Sequence, residues 1–173
     1  YTNEIDWGKN TWRQATGKPM NSNFTYVFDH FVANQAEADA LNTLGIQGSF
    51  GKLIPGDVVY KDMNGDKVID DKDRAAQGYP RCPEIMFGIP MGFSYKGFDF
   101  SILFQGATNS SILLNGAAVY DFPNFHNDKM GKVKPMHLKR WTPETAENAK
   151  YPALHLGTHN NNKNAHSSLF LYD

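Results

Sequence analysis

The chain is 173 residues long and carries 17 Lys and Arg against 18 Asp and Glu, a formal charge of −1. That balance excludes the basic excess of a nucleic-acid-binding face, and an aromatic content of 13% excludes a disordered chain, which would be poor in aromatics. A lone cysteine, Cys82, excludes an internal disulfide and any multi-cysteine zinc site, and no apolar run reaches the 18 residues that a transmembrane helix needs.

Residues 1–23 are polar, with Trp7, Trp12, Gly17 and Pro19, and read as irregular structure anchored by aromatic side chains. Residues 24–32 are rich in β-formers and predict a short strand. Asn34 then offers an N-cap with Glu37 at the third helical position, as in a capping box, and Gly45 suits the position after a helix end. The spacing between them predicts a helix over 35–44. Residues 45–56 read as Gly-rich loop and 57–73 as an acid-dense segment. A strand is expected within 112–120. Thr142, Pro143 and Glu144 predict a short helical turn near 143–147. Residues 155–167 are rich in His and Asn and read as exposed loop.

The strongest periodicity lies between these segments. Phe87, Ile89, Met91, Phe93 and Tyr95 share one face of a strand, with Gly88, Pro90, Gly92 and Ser94 on the other. After Lys96 and Gly97 the pattern resumes, with Phe98, Phe100, Ile102 and Phe104 on one face and Asp99, Ser101 and Gln105 opposite; Leu103 is the exception. Two alternating runs joined by a two-residue turn containing Gly make a hairpin. Its apolar face suits either the core of a soluble sandwich or the lipid around an outer-membrane barrel. About ten residues at about 3.4 Å, tilted by about 40–45°, cover roughly the 25 Å of a barrel's lipid-facing band. An open sheet edge is not tolerated in lipid, so the membrane alternative requires a longer parent chain. The start at Tyr1 and the apolar stretch at 169–172 carry the same expectation.

Residues 62–73 match the calcium-loop template at several offsets. Oxygen ligands fall at Asp62, Asn64, Asp66, Asp70 and Asp73, Val68 would offer its backbone carbonyl, and Ile69 supplies an apolar anchor. Ca²⁺ takes six to eight hard oxygen ligands, and this spacing wraps them around one centre. Lys67 stands where the template has Gly, and Asp73 where it has Glu. The alternative is a metal-free acidic turn held by Asp and Asn side-chain hydrogen bonds.

Three ordered motifs resemble a known family: residues 55–66 with 68–74, residues 92–106, and Arg140, Trp141, Thr142, Pro143 and Glu144 followed by 149–152. Residues 12–19 fit the same region. Together they resemble the C-terminal part of SusC/RagA-type TonB-dependent outer-membrane transporters of Bacteroidetes. The resemblance implies a β fold, a partial transmembrane β-barrel in which antiparallel hairpin strands carry long extracellular loops and a short helix. The full barrel would have about 22 strands around a plug. It implies an extracellular loop region over 1–83, a membrane-spanning hairpin over 84–107, and a second extracellular loop region over 108–173 leading into a further strand. The acidic loop would face outward and the Lys96–Gly97 turn the periplasm. The implied function is import of oligosaccharide or peptide, with a SusD-like surface lipoprotein as partner and TonB engaged through N-terminal parts outside these residues. The alternative is a soluble β-rich binding module with a calcium-stabilised loop.

An enzyme is not expected. No Gly-x-Ser-x-Gly, P-loop or zincin motif occurs. His155 and His159 are four apart, but Gly157 and the Asn run at 160–162 argue against a helix that would align them. Trp7, Trp12 and Trp141 read as packing residues before sugar-stacking ones.

Overall fold

The computed structural model describes residues 14–47, 50–116, 119–120, 133–155 and 161–173; Trp7, Trp12 and His159 lie outside them. The described chain is mostly β. Its strands are β1 (Asn23–Tyr26), β2 (Phe28–Phe31), β3 (Val58–Tyr60), β4 (Arg74–Gln77), β5 (Ile85–Tyr95), β6 (Phe98–Thr108), β7 (Ile112–Leu113) and β8 (Leu171–Tyr172). They form antiparallel pairs β1–β4, β2–β3, β5–β6 and β7–β8. One α-helix, α1 (Gln35–Leu44), occurs among the described residues. No helix there is long and apolar enough to cross a membrane, a fact that says nothing of a β-barrel.

Local chemistry sets α1 where its caps predict. Asn34 Oδ1 accepts from the Glu37 N–H at 3.0 Å, and Gly45 takes a left-handed φ of 67°. The Glu37 carboxylate returns one residue further back than a capping box has it, to the Ala33 N–H at 2.7 Å.

The strand expected over 24–32 is two strands. β1 runs along β4, with Tyr26 opposite Arg74. The Val27 carbonyl then accepts from the Lys61 N–H at 2.9 Å, and the Phe28 N–H turns to Ser168 Oγ at 2.8 Å. The chain thereby leaves one partner and continues as β2 along β3. The strand expected within 112–120 shrinks to β7. Beyond it the Leu114 N–H bonds the Phe170 carbonyl, and Gly116, at φ 62°, accepts from the N–H groups of Val119 and Tyr120. The helical turn near 143–147 is a 3₁₀ turn over Ala146–Asn148. Its late start follows from Thr142 and Thr145, whose side chains bond each other at 2.9 Å and hold the preceding residues as a turn.

Among the described residues three apolar clusters form the core. Tyr26, Val58, Tyr60 and Ile69 make the first, with Leu169 packed against it from the far end of the chain. Val32, Ala38, Leu53 and Val59 attach α1. Val119, Tyr151 and Phe170 make the third. Segments on both sides of the hairpin therefore share one body, tied further by the Tyr26 N–H to the His166 carbonyl at 2.8 Å.

The expectation that 155–167 is exposed loop is overturned at Asn161, Asn162 and Ser167, which are buried. β3 lies with a side open beyond its pairing to β2, and the asparagine amides serve it as a neighbouring strand would. Asn162 Oδ1 accepts from the Val58 N–H at 2.9 Å, and Asn161 Nδ2 donates to the Val58 carbonyl at 2.6 Å. Buried backbone groups require such partners.

Candidate functional site

The hairpin is the first candidate. Lys96 and Gly97 take φ of 48° and 86°, the paired positive values of a type I′ turn, whose twist matches the flanking strands. From Tyr95 opposite Phe98 to Ile85 opposite Thr108, the register is unbroken. Cross-strand partners share a face, so Phe87, Ile89, Met91, Phe93 and Tyr95 lie with Gly106, Phe104, Ile102, Phe100 and Phe98. The Phe93 and Phe100 rings sit 5.4 Å apart, and the Phe87 ring covers Gly106, where a Cβ would come within 2.5 Å of it. The opposite face pairs Gly88, Pro90, Gly92 and Ser94 with Gln105, Leu103, Ser101 and Asp99, and Ser94 Oγ donates to Asp99 Oδ1. Pairs alternate from the turn, so Pro90 falls at a non-hydrogen-bonded position and its missing donor faces away from β6.

This aromatic face is uncovered. Phe93 is 64% exposed, Phe98 79% and Phe104 51%. A contiguous exposed face of large apolar side chains marks a surface suited to lipid or another apolar partner.

The acidic loop is the second candidate. Asp62 accepts from the N–H groups of Gly65 at 2.6 Å, Lys67 at 2.7 Å and Asn64 at 3.2 Å. Partial burial works against its ionised form, but these N–H groups outweigh it and hold the carboxyl below its ordinary value. Asn64 accepts from the Asp66 N–H and donates to Asp66 Oδ2, and Asp66 accepts from the Val68 N–H. Asp73 is buried and accepts from the N–H groups of Met63 at 2.9 Å and Asp70 at 2.8 Å; burial pushes its carboxyl up. Ile69 is buried in the first cluster and anchors the loop, its N–H on the Ile46 carbonyl. Lys67 takes φ 65°, the left-handed conformation that the template reserves for Gly.

Asp62, Asn64, Asp66 and Asp73 thus gather at the start of the loop, whereas Asp70 caps the short turn over 71–73 and pairs with Lys72 at 3.2 Å. The oxygen chemistry suits a hard cation. In this conformation the carboxylates turn inward on the loop's own N–H groups. Among the described residues no three His, Cys, Asp or Glu side chains are arranged to hold a metal ion.

A buried polar cluster has no counterpart in the sequence patterns. The fully buried Asp57 carboxylate accepts from His155 Nε2 at 2.6 Å, Asn162 Nδ2 at 2.9 Å and the Ile54 N–H at 2.8 Å. Tyr60 Oη donates to the Asn161 carbonyl at 2.8 Å, and burial pushes that phenol far above its ordinary value. The cluster fastens His155, Asn161 and Asn162 to β3 and to Asp57 just before it.

No family model matches the chain. The chain is similar to a TonB-dependent receptor of Formosa agariphila, with 33% identity over 91 residues, which is 53% of this chain and 9% of that receptor. The matched part thus spans less than a tenth of the relative, and the likeness is to a segment of a TonB-dependent receptor.

Proposed function

We propose that the chain is a wall and outer-loop segment of a TonB-dependent outer-membrane transporter of the SusC/RagA type, importing oligosaccharide or peptide with a SusD-like lipoprotein. TonB engagement belongs to parts of the parent protein outside these residues. The observation that carries this reading is the hairpin: 11-residue strands in unbroken register, exposed on both faces, with the aromatic side chains gathered on one of them. In a barrel that face meets lipid, and the Gly-, Ser- and Gln-bearing face meets the lumen. A soluble module would need a cover over the same aromatics. The similarity to a TonB-dependent receptor supports the reading independently.

The acidic loop, on this proposal, is an extracellular element stabilised by Ca²⁺ through Asp62, Asn64, Asp66, the Val68 carbonyl, Asp70 and Asp73. Its support is the oxygen spacing, the gathering of Asp62, Asn64, Asp66 and Asp73, and left-handed Lys67 at the template's glycine position.

Spin labels test the hairpin. In a background without other cysteines, with Cys82→Ser, single cysteines replace Phe100, Ile102 and Ile89 on one face and Ser101 and Gln105 on the other, in the parent protein reconstituted into phospholipid vesicles. Labels on the first face are expected to be accessible to oxygen and shielded from a water-soluble nickel complex, and labels on the second to show the reverse. Equal nickel accessibility on both faces would overturn the membrane reading.

A further inference from the structure

His30, on β2, lies between two carboxylates. Its Nδ1 is 2.8 Å from Asp29 Oδ2 and its Nε2 is 2.9 Å from Glu37 Oε1. A neutral imidazole has one N–H and one lone pair, so it can donate to only one of them; an imidazolium donates to both. The other Glu37 oxygen accepts from the Ala33 N–H, on the residue before the N-cap Asn34. A single carboxylate therefore ties the first turn of α1 both to the chain that enters it and to β2. Lys61, following β3, is 3.5 Å from the other Asp29 oxygen. Asp29, Glu37 and Lys61 are the charged groups that the described ion pairs place around the ring.

We propose that Asp29, His30 and Glu37 form a pH-sensitive clip that holds the N-terminal turn of α1 to β2 through two bonds when His30 is protonated and is weakened to one when the proton leaves. The C-terminal half of α1 has a separate fastening: the Asn42 side chain accepts from the Leu53 N–H and donates to the Leu53 carbonyl, both at 2.8 Å. Deprotonation therefore loosens one end of the helix and leaves the other docked. Partial burial works against the charged ring, but the bonds to Asp29 and Glu37 outweigh it and hold His30 above its ordinary value of 6.5. A raised folded-state value means the clip's contribution is complete below the unfolded value and lost as the pH rises through the folded one.

The test is a pH titration of the full chain by NMR, reading the His30 ring nitrogens and the exchange protection of the Ala33 and Leu53 amides, each corrected for intrinsic exchange. The expected result is a midpoint above 6.5. Ala33 protection should fall about two- to fivefold across it, the size a partly exposed ion pair commands, while Leu53 protection stays level. Asp29→Asn leaves the helix cap in place and should lower the midpoint and carry the Ala33 transition with it. A midpoint at or below 6.5, or Ala33 protection that stays level through it, overturns the clip.

Discussion

The indole of Trp141 occupies the space in which a side chain at residue 56 would stand. A Cβ on Gly56 would lie 2.5 Å from Trp141 Cε3 and 2.6 Å from the Ala153 Cβ, and the Gly56 backbone has φ 87°. The Gly56 carbonyl also accepts from the Ala153 N–H at 2.9 Å. Two motifs far apart in sequence thus meet backbone against ring. Gly56→Ala should cost about 2–4 kcal/mol, combining overpacking with a left-handed backbone for a residue with a Cβ. Urea unfolding of the two proteins, followed by Trp fluorescence, measures it; a cost below that of an ordinary surface change would mean that the ring yields freely.

Asn162 should be intolerant of an apolar residue of its own size. Its amide accepts from the Val58 N–H and donates to the Asp57 carboxylate, all within the buried cluster. Asn162→Leu keeps the volume, strands the Val58 N–H at about 1–3 kcal/mol, and takes one donor from the Asp57 carboxylate, which keeps His155 and the Ile54 N–H. The expected loss is about 3 kcal/mol in chemical denaturation. Asn162→Asp should also destabilise, by placing a second carboxylate against Asp57.

These two sites show what was and was not legible. α1 was readable because Asn34, Glu37 and Gly45 act within one helix length, and the hairpin because period-two alternation and the Lys96–Gly97 turn are local. The burial of Asn161 and Asn162 was not, because composition assigns an Asn run to solvent. Only the open side of β3, about a hundred positions away, gives those amides work to do. The split at Val27 has the same origin, since residues 24–32 have strand chemistry throughout and the change of partner is decided by Lys61 and Ser168. In the acidic loop the sequence located the oxygens; where each oxygen points depends on N–H groups that the template does not specify.

Lys67→Gly should stabilise the chain. At φ 65° a residue with a Cβ is disfavoured by roughly 1–2 kcal/mol, and the extra unfolded-state freedom of Gly returns part of that, for a net gain of about 0.5–1 kcal/mol. Thermal unfolding measures it in chelator-treated protein. Adding Ca²⁺ to the same samples tests the metal proposal separately. Calcium should raise the unfolding temperature of the wild type, and more so that of Lys67→Gly, which has one positive charge fewer in the loop. A temperature unmoved by calcium in both proteins sinks the metal proposal and leaves the backbone prediction standing.

The two faces of the hairpin should answer a charge differently. Ile102 and Ser101 are neighbours in β6, at nearly the same height, and the register sends them to opposite faces. On the membrane reading Ile102→Arg drives a guanidinium into lipid near the middle of the span, at a cost of about 2–4 kcal/mol, whereas Ser101→Arg projects into the lumen at a cost near zero. In a soluble fold with this hairpin bare, both substitutions would sit in water and both would be nearly neutral. With the aromatic face packed against a protein core, Ile102→Arg would be costly with or without lipid. Urea unfolding of the parent barrel in vesicles, beside the isolated chain in buffer, separates the three cases. A penalty at Ile102 that appears only in the bilayer is the expected result, because only there is the aromatic face covered by a solvent that cannot hydrate the charge.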